Sequence, residues 1–91
     1  MTLRYRRHPD LRLTALEGEG VVLHLGSREY FTVSETGLAI LEPLEQARTL
    51  EELVDALVER YEVTRDQAAD SVRSFLDRCL AENLVLESAE E

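Results

Sequence analysis

Ninety-one residues with 44% hydrophobic side chains suffice for one domain around one core. No apolar run approaches the roughly 18 residues that a membrane-spanning helix takes, and a net charge of −9 withholds the basic face that phosphate backbones require. Cys79 is the sole cysteine, so an intramolecular disulfide is excluded and a reducing cytoplasm is the expected compartment.

The chain opens on MTLRYRRHPD, which has charge but no apolar segment behind it and so is no secretory signal. Arg4, Arg6, Arg7 and Arg12 against Asp10 leave the first twelve residues at +3, while the rest is strongly acidic. Residues 1–9 read as a loose arm or short edge strand, with His8-Pro9-Asp10 as a turn because Pro9 biases His8 to extended geometry. Leu11, Leu13 and Ala15 alternate with Arg12 and Thr14, predicting a half-buried strand to Leu16. Gly18-Glu19-Gly20 is the expected hairpin loop, Val21–Leu25 the second strand, and Gly26-Ser27-Arg28 the turn into a third strand over Glu29–Val33. Such a meander is marginal alone, so helices must cover one face.

Ser34 caps a first helix carrying Leu38, Ile40, Leu41 and Leu44; Pro43 removes a donor and predicts an early end or a bend. Thr49-Leu50-Glu51-Glu52 is a capping-box pattern opening a second helix, with its stripe on Leu50, Leu53, Val54, Leu57, Val58 and Tyr61. Thr64-Arg65-Asp66-Gln67 repeats the device for a third helix reaching about Glu82, with Asn83 as the residue after the cap. On the third helix an apolar arc about 140° wide runs from Phe75 through Ala68, Cys79, Val72 and Leu76 to Ala69 and Leu80, at about 100° per residue. That width allows one part to pack on the other helices and another to line a groove; the whole arc as core is the plainer reading. Leu84-Val85-Leu86 is a short strand or packed tail, and 88–91 a frayed end.

Catalytic chemistry finds no support. His8 and His24 lack metal-ligand partners at useful spacing, Cys79 falls on an apolar helix face, and the serines sit in turns, caps and helix surface. No metal, no cofactor and no enzymatic activity are expected. A hairpin followed by three helices also suits a winged-helix DNA regulator, but Arg65, Arg73 and Arg78 are outnumbered on the third helix by Asp66, Asp70, Asp77 and Glu82. A helper subunit docking through the acidic second helix is a further alternative. The feature left is the third strand: if its outer edge is open, a guest peptide can add a fourth strand, main-chain hydrogen bonds giving affinity and side-chain pockets selectivity. Alternation puts Phe31 and Val33 on one face and Tyr30 and Thr32 on the other.

Phe31, Ser34-Glu35-Thr36-Gly37, Ile40-Leu41-Glu42 with Leu44, Thr49-Leu50-Glu51-Glu52-Leu53-Val54, Tyr61, Phe75-Leu76 and Leu84-Val85, taken in order, resemble the PqqD-like domains, also called RiPP recognition elements. The resemblance covers about residues 9 to 87. Ser34 stands where the family commonly has asparagine, and Pro43 departs from its helix-friendly residue. The resemblance implies an α+β, winged-helix-like fold, a three-stranded antiparallel sheet followed by three helices. It also implies binding of the leader segment of a ribosomal precursor peptide beside the third strand, at Arg28, Glu29, Tyr30, Phe31, Thr32 and Val33. The opposing wall would come from Val72, Phe75, Leu76 and Cys79 of the third helix. Partners implied are the precursor leader, a leader peptidase and a cyclase, as in lasso-peptide pathways; the alternative is delivery of a PQQ precursor to a radical-SAM enzyme.

Overall fold

The computed structural model describes residues 2–90, the Glu90 side chain excepted, and Met1 and Glu91 of the expected arm and tail lie outside it. Its elements are β1 (Thr2–Arg7), β2 (Leu11–Leu16), β3 (Glu19–His24), β4 (Glu29–Ser34), α1 (Glu35–Leu41), a 3-10 turn (Glu42–Glu45), α2 (Leu50–Arg60), α3 (Arg65–Ala81) and β5 (Val85–Glu90). The fold is α+β and winged-helix-like. β2, β3 and β4 form a three-stranded antiparallel sheet in that order, and β1 pairs antiparallel with β5 in a second, two-stranded sheet.

The second sheet takes the short-strand alternative at both ends, and β5 runs on through positions expected to fray. Thr2 to Arg7 pair one-for-one with Glu90 back to Val85. Tyr5 and Arg48 exchange both backbone hydrogen bonds, at 2.7 and 2.9 Å, and His8 N–H donates to the Leu84 carbonyl at 2.9 Å. The termini therefore hold each other, because each supplies the ladder partners the other lacks.

Helix ends follow the sequence closely. The Ser34 hydroxyl accepts from Gly37 N–H at 3.1 Å, and Thr49 with Glu52 and Thr64 with Gln67 close full capping boxes. At the other end of α3, Asn83 takes φ 60°, letting Asn83 N–H reach the Leu80 carbonyl at 3.2 Å and Leu84 N–H the Cys79 carbonyl at 2.8 Å. Those two bonds are a Schellman closure, with asparagine supplying the left-handed residue. Pro43 sits inside the 3-10 turn, which ends α1 at Leu41 as its missing donor demands.

Two details differ from expectation. The β2–β3 hairpin turns at Glu17-Gly18, where glycine supplies φ 76°, so Gly20 lies within β3 and not in the loop. Gly20 is needed for close approach: a Cβ there would stand 3.0 Å from Leu38 Cδ1. Val58, placed on the apolar stripe of α2, is instead exposed. The core joins Leu11, Val22 and Val33 of the sheet to the α1 run Leu38–Leu41, Leu44, the α2 residues Leu53, Val54 and Leu57, the centre of α3, and Leu84-Val85.

Glu52 ties this layering to pH. Its carboxylate accepts from Thr49 N–H at 3.0 Å and meets Arg4 at 3.3 Å and Arg48 at 3.7 Å, linking α2 to the N-terminal strand. The Thr49 backbone bond first, then the Thr49 hydroxyl, Arg4 and Arg48, hold this carboxyl below its ordinary 4.5. A depressed carboxyl contributes stability that is present above the unfolded pKa and lost as pH falls through the folded one. Thermal melts of Glu52→Gln should therefore fall less steeply than those of the parent as pH drops below 4.5; parallel slopes would refute the linkage.

Candidate functional site

β4 is an edge strand, with β3 on one side and no partner on the other among the described residues. Which of its backbone groups face outward follows from the register. A two-residue hairpin is closed by a hydrogen-bonded pair, here Leu16 and Glu19. In an antiparallel ladder the bonding side alternates along each strand. Residues 19, 21 and 23 of β3 therefore bond to β2, and residues 20, 22 and 24 bond to Val33, Phe31 and Glu29 of β4. The N–H and C=O groups of Tyr30 and Thr32 are left pointing to the open edge.

Side chains along the strand alternate as expected. Val33 is buried and Phe31 half-buried against the core, while Tyr30 and Thr32 project into solvent on the opposite face. Arg28, just before the strand, holds φ 63° and donates its N–H to the His24 carbonyl at 2.8 Å. The turn is also pinned from inside. His24 is buried, and its Nδ1 accepts from Gly26 and Ser27 N–H at 3.1 and 3.2 Å, so this histidine serves the turn that sets the start of β4. Its ring lies 4.4 Å from that of His8.

Beyond the end of β4 a groove of about 400 Å³ opens between α1 and α3. Its lining is Ser34, Thr36, Gly37 and Ile40 on one side and Ser71, Ser74, Phe75 and Arg78 on the other. Gly37 is what lets the two sides meet. A Cβ there would stand 2.8 Å from Phe75 Cε1 and 3.3 Å from Val33 Cβ, so the Phe75 ring reaches across the glycine toward β4.

Of the four α3 positions expected as the opposing wall, Val72, Phe75, Leu76 and Cys79, one lines this groove. Val72, Leu76 and Cys79 are 0, 2 and 1% exposed and belong to the core, and Phe75 alone borders the groove. Ser71, Ser74 and Arg78 take the other places, on the polar flank next to Phe75. Arg73, Asp77 and Leu80 face the opposite way, toward Tyr5 and Glu87. A helical wheel marks the boundary at Phe75 but carries no sign of which flank is concave. Small serines three residues apart were the available signal, since they leave room where longer chains would fill it. Burial pushes the Cys79 thiol up to about 12, which suits an inert core residue and not a nucleophile. No three His, Cys, Asp or Glu side chains come together as metal ligands among the described residues.

The acidic face of α2 is less available than its sequence implied. Glu52 is engaged by Arg4 and Arg48, and Asp55 meets Arg65 at 2.6 Å.

An open strand edge leading into a helix-lined groove defines a small winged-helix-like binding domain. The chain belongs to the PqqD family: the profile of coenzyme PQQ synthesis protein D matches residues 19–85. No curated protein matches it in sequence. Among solved structures it is similar to one described as TbiB1 in complex with the TbiA(beta) leader peptide, with a TM-score of 0.79 and 28% identity over 93% of this chain and 99% of that one. A second, described as lasso peptide synthetase B1 complexed with the leader peptide, shares the fold with a TM-score of 0.74 and 21% identity over 90% of this chain and 96% of that one.

Proposed function

We propose that this chain is a non-catalytic recognition protein. It takes up the leader segment of a ribosomally made precursor as a strand along β4 and presents it to a leader peptidase and cyclase of the lasso-peptide type. The observation that carries this reading is the open β4 edge running into the α1–α3 groove, in a chain similar over 93% of its length to a structure described as a leader-peptide complex. Strand addition uses Tyr30 and Thr32 for main-chain bonds. Phe75 and the small residues around it then receive a guest side chain, and Arg78 places a cation at the groove's rim on a molecule of net charge −9. Cys79, buried and with its thiol pushed up by desolvation, is placed to pack and not to attack. The reducing cytoplasm remains the compartment suited to that lone thiol.

A PQQ-pathway role is the second reading, supported by the family profile itself. Amide NMR titration with synthetic leader peptides of both kinds tests the two together. The lasso-type reading expects saturable shifts over Arg28–Ser34 and at Gly37, Ser71, Ser74, Phe75 and Arg78, with the lasso-type leader binding more tightly. Tighter binding of the PQQ-type leader would move the protein to the other pathway. No shift with either would end the leader-binding reading.

A further inference from the structure

Among the described residues the buried set holds one polar side chain, His24, at 5% exposed. Its two ring nitrogens are placed differently. Nδ1 accepts from both Gly26 and Ser27 N–H, so its lone pair is in use and the proton of the neutral ring sits on Nε2. That Nε2 is buried and makes no hydrogen bond. A second proton has one place to go, Nδ1, where it would face two N–H donors and no acceptor. The imidazolium would also be a buried cation, beside a His8 ring 4.4 Å away whose own Nδ1 accepts from Asp10 N–H at 3.0 Å. Two carboxylates stand nearby. A Cβ on Gly26 would lie 2.8 Å from Asp10 Oδ2 and 3.0 Å from His24 Cε1, so Asp10, turn and ring are packed together, and Glu29 is the cross-strand partner of His24. Neither carboxylate hydrogen-bonds the ring, and Arg28 stands in the turn itself.

The turn between β3 and β4 leans on this one residue. Leu25 to Tyr30 are all exposed, so no side chain of the turn anchors it in the core. His24 holds it instead, through the two Nδ1 bonds and through its carbonyl, which accepts from Arg28 N–H at 2.8 Å. Glu29 then enters the ladder opposite His24, and Tyr30 follows with its N–H and C=O at the open edge. We infer that His24 is a positioning residue for leader uptake and makes uptake acid-sensitive, the β4 edge being presented only while the imidazole is neutral. The inference rests on strand addition at β4. On acidification the ring gains its proton and gives up Gly26 and Ser27. The freed turn then takes the Glu29 and Tyr30 end of the guest's track with it. A group that acts in its neutral basic form contributes at high pH, and that contribution is lost as pH falls. Histidine is the side chain whose charge changes near neutrality, so the response belongs between about pH 7.5 and about pH 5.5.

Asparagine supplies the discriminating variant, because its Oδ1 accepts from nearby backbone N–H groups and takes up no proton. Measured with the full chain and a synthetic leader by fluorescence anisotropy, the parent's affinity should fall at least about tenfold from about pH 7.5 to about pH 5.5. His24→Asn should start within about threefold of the parent and change less than about twofold over the same range. His24→Leu fills the space but accepts nothing, and should bind weakly at both ends. In His8→Asn the response should persist. The unliganded protein gives a reading that needs no leader: nitrogen NMR shifts should place the His24 proton on Nε2, and the Gly26 and Ser27 amide signals should move as the ring titrates. Amides that stay put during that titration would overturn the inference. So would a pH-independent affinity in the parent, an equal response in His24→Asn, or a response lost in His8→Asn. Parental affinity in His24→Leu, or global unfolding of the parent by about pH 5.5 in circular dichroism, would do the same. If the amides move as expected but no leader binds at any pH, the adaptor reading itself fails, and with it the claim that this turn serves a guest.

Discussion

Proline in place of Tyr30 should leave a folded protein that no longer takes up its peptide, whereas proline one residue later should leave no fold at all. The contrast comes from the ladder. Tyr30 turns its N–H to the open edge, where proline is tolerated in sheets, so β3 loses no bond. A guest loses one main-chain acceptor contact, about 1 kcal/mol, and meets the pyrrolidine ring where its own backbone should lie. Leader affinity should fall at least about tenfold by fluorescence anisotropy, with circular dichroism unchanged. Phe31 instead turns its N–H to Val22. Phe31→Pro strands a buried carbonyl, at about 1–3 kcal/mol, and removes a ring that packs on the core, worth up to about 3–5 kcal/mol. Together these approach the whole stability of a small domain, about 5–15 kcal/mol. Phe31→Ala separates the two contributions, since it keeps the N–H. Wild-type affinity in Tyr30→Pro would sink strand addition at this edge; an unfolded Tyr30→Pro would show that the alternation of bonds along β4 has the other phase.

Local chemistry was legible in the sequence wherever one residue's side chain answers its own backbone. Ser34, Thr49 and Thr64 announce three helix starts, Asn83 a helix end and Pro43 a helix break, and each acts over three or four residues. Alternation along Glu29–Val33 likewise gave the two faces of β4. What stayed hidden was non-local. β1 finds its partner at the far end of the chain in β5, and nothing within Arg4, Arg6 and Arg7 states that Ser88, Leu86 and Val85 lie opposite. The Leu3 and Tyr5 alternation was the trace of it. On α3, apolar periodicity located the core, and the resemblance set Val72, Leu76 and Cys79 of that arc in the expected wall. A groove opens where packing stops, so the one between α1 and α3 is lined by Ser71, Ser74 and Arg78, which periodicity discards.

Gly37 turns that same principle into an expected result, because it sets the distance between α1 and the groove. Glycine inside a helix costs about 1 kcal/mol against alanine, so Gly37→Val would gain some helix stability on propensity alone. Space opposes it: with Phe75 Cε1 at 2.8 Å, Phe75 Cζ at 3.1 Å and Val33 Cβ at 3.3 Å from the new Cβ, the two added methyls have nowhere to go. Either the Phe75 ring swings into the groove or α1 lifts from β4. Overpacking of this kind costs about 1–3 kcal/mol, and both routes spoil the groove, so Gly37→Val should lose stability and leader affinity together. Shrinking the ring should undo part of the damage. In a double-mutant cycle, Phe75→Leu should cost less in the Gly37→Val background than in the parent, with a coupling of at least about 0.5 kcal/mol. Strict additivity would mean that the glycine is not there for the ring, and that some other contact keeps α1 close to the sheet.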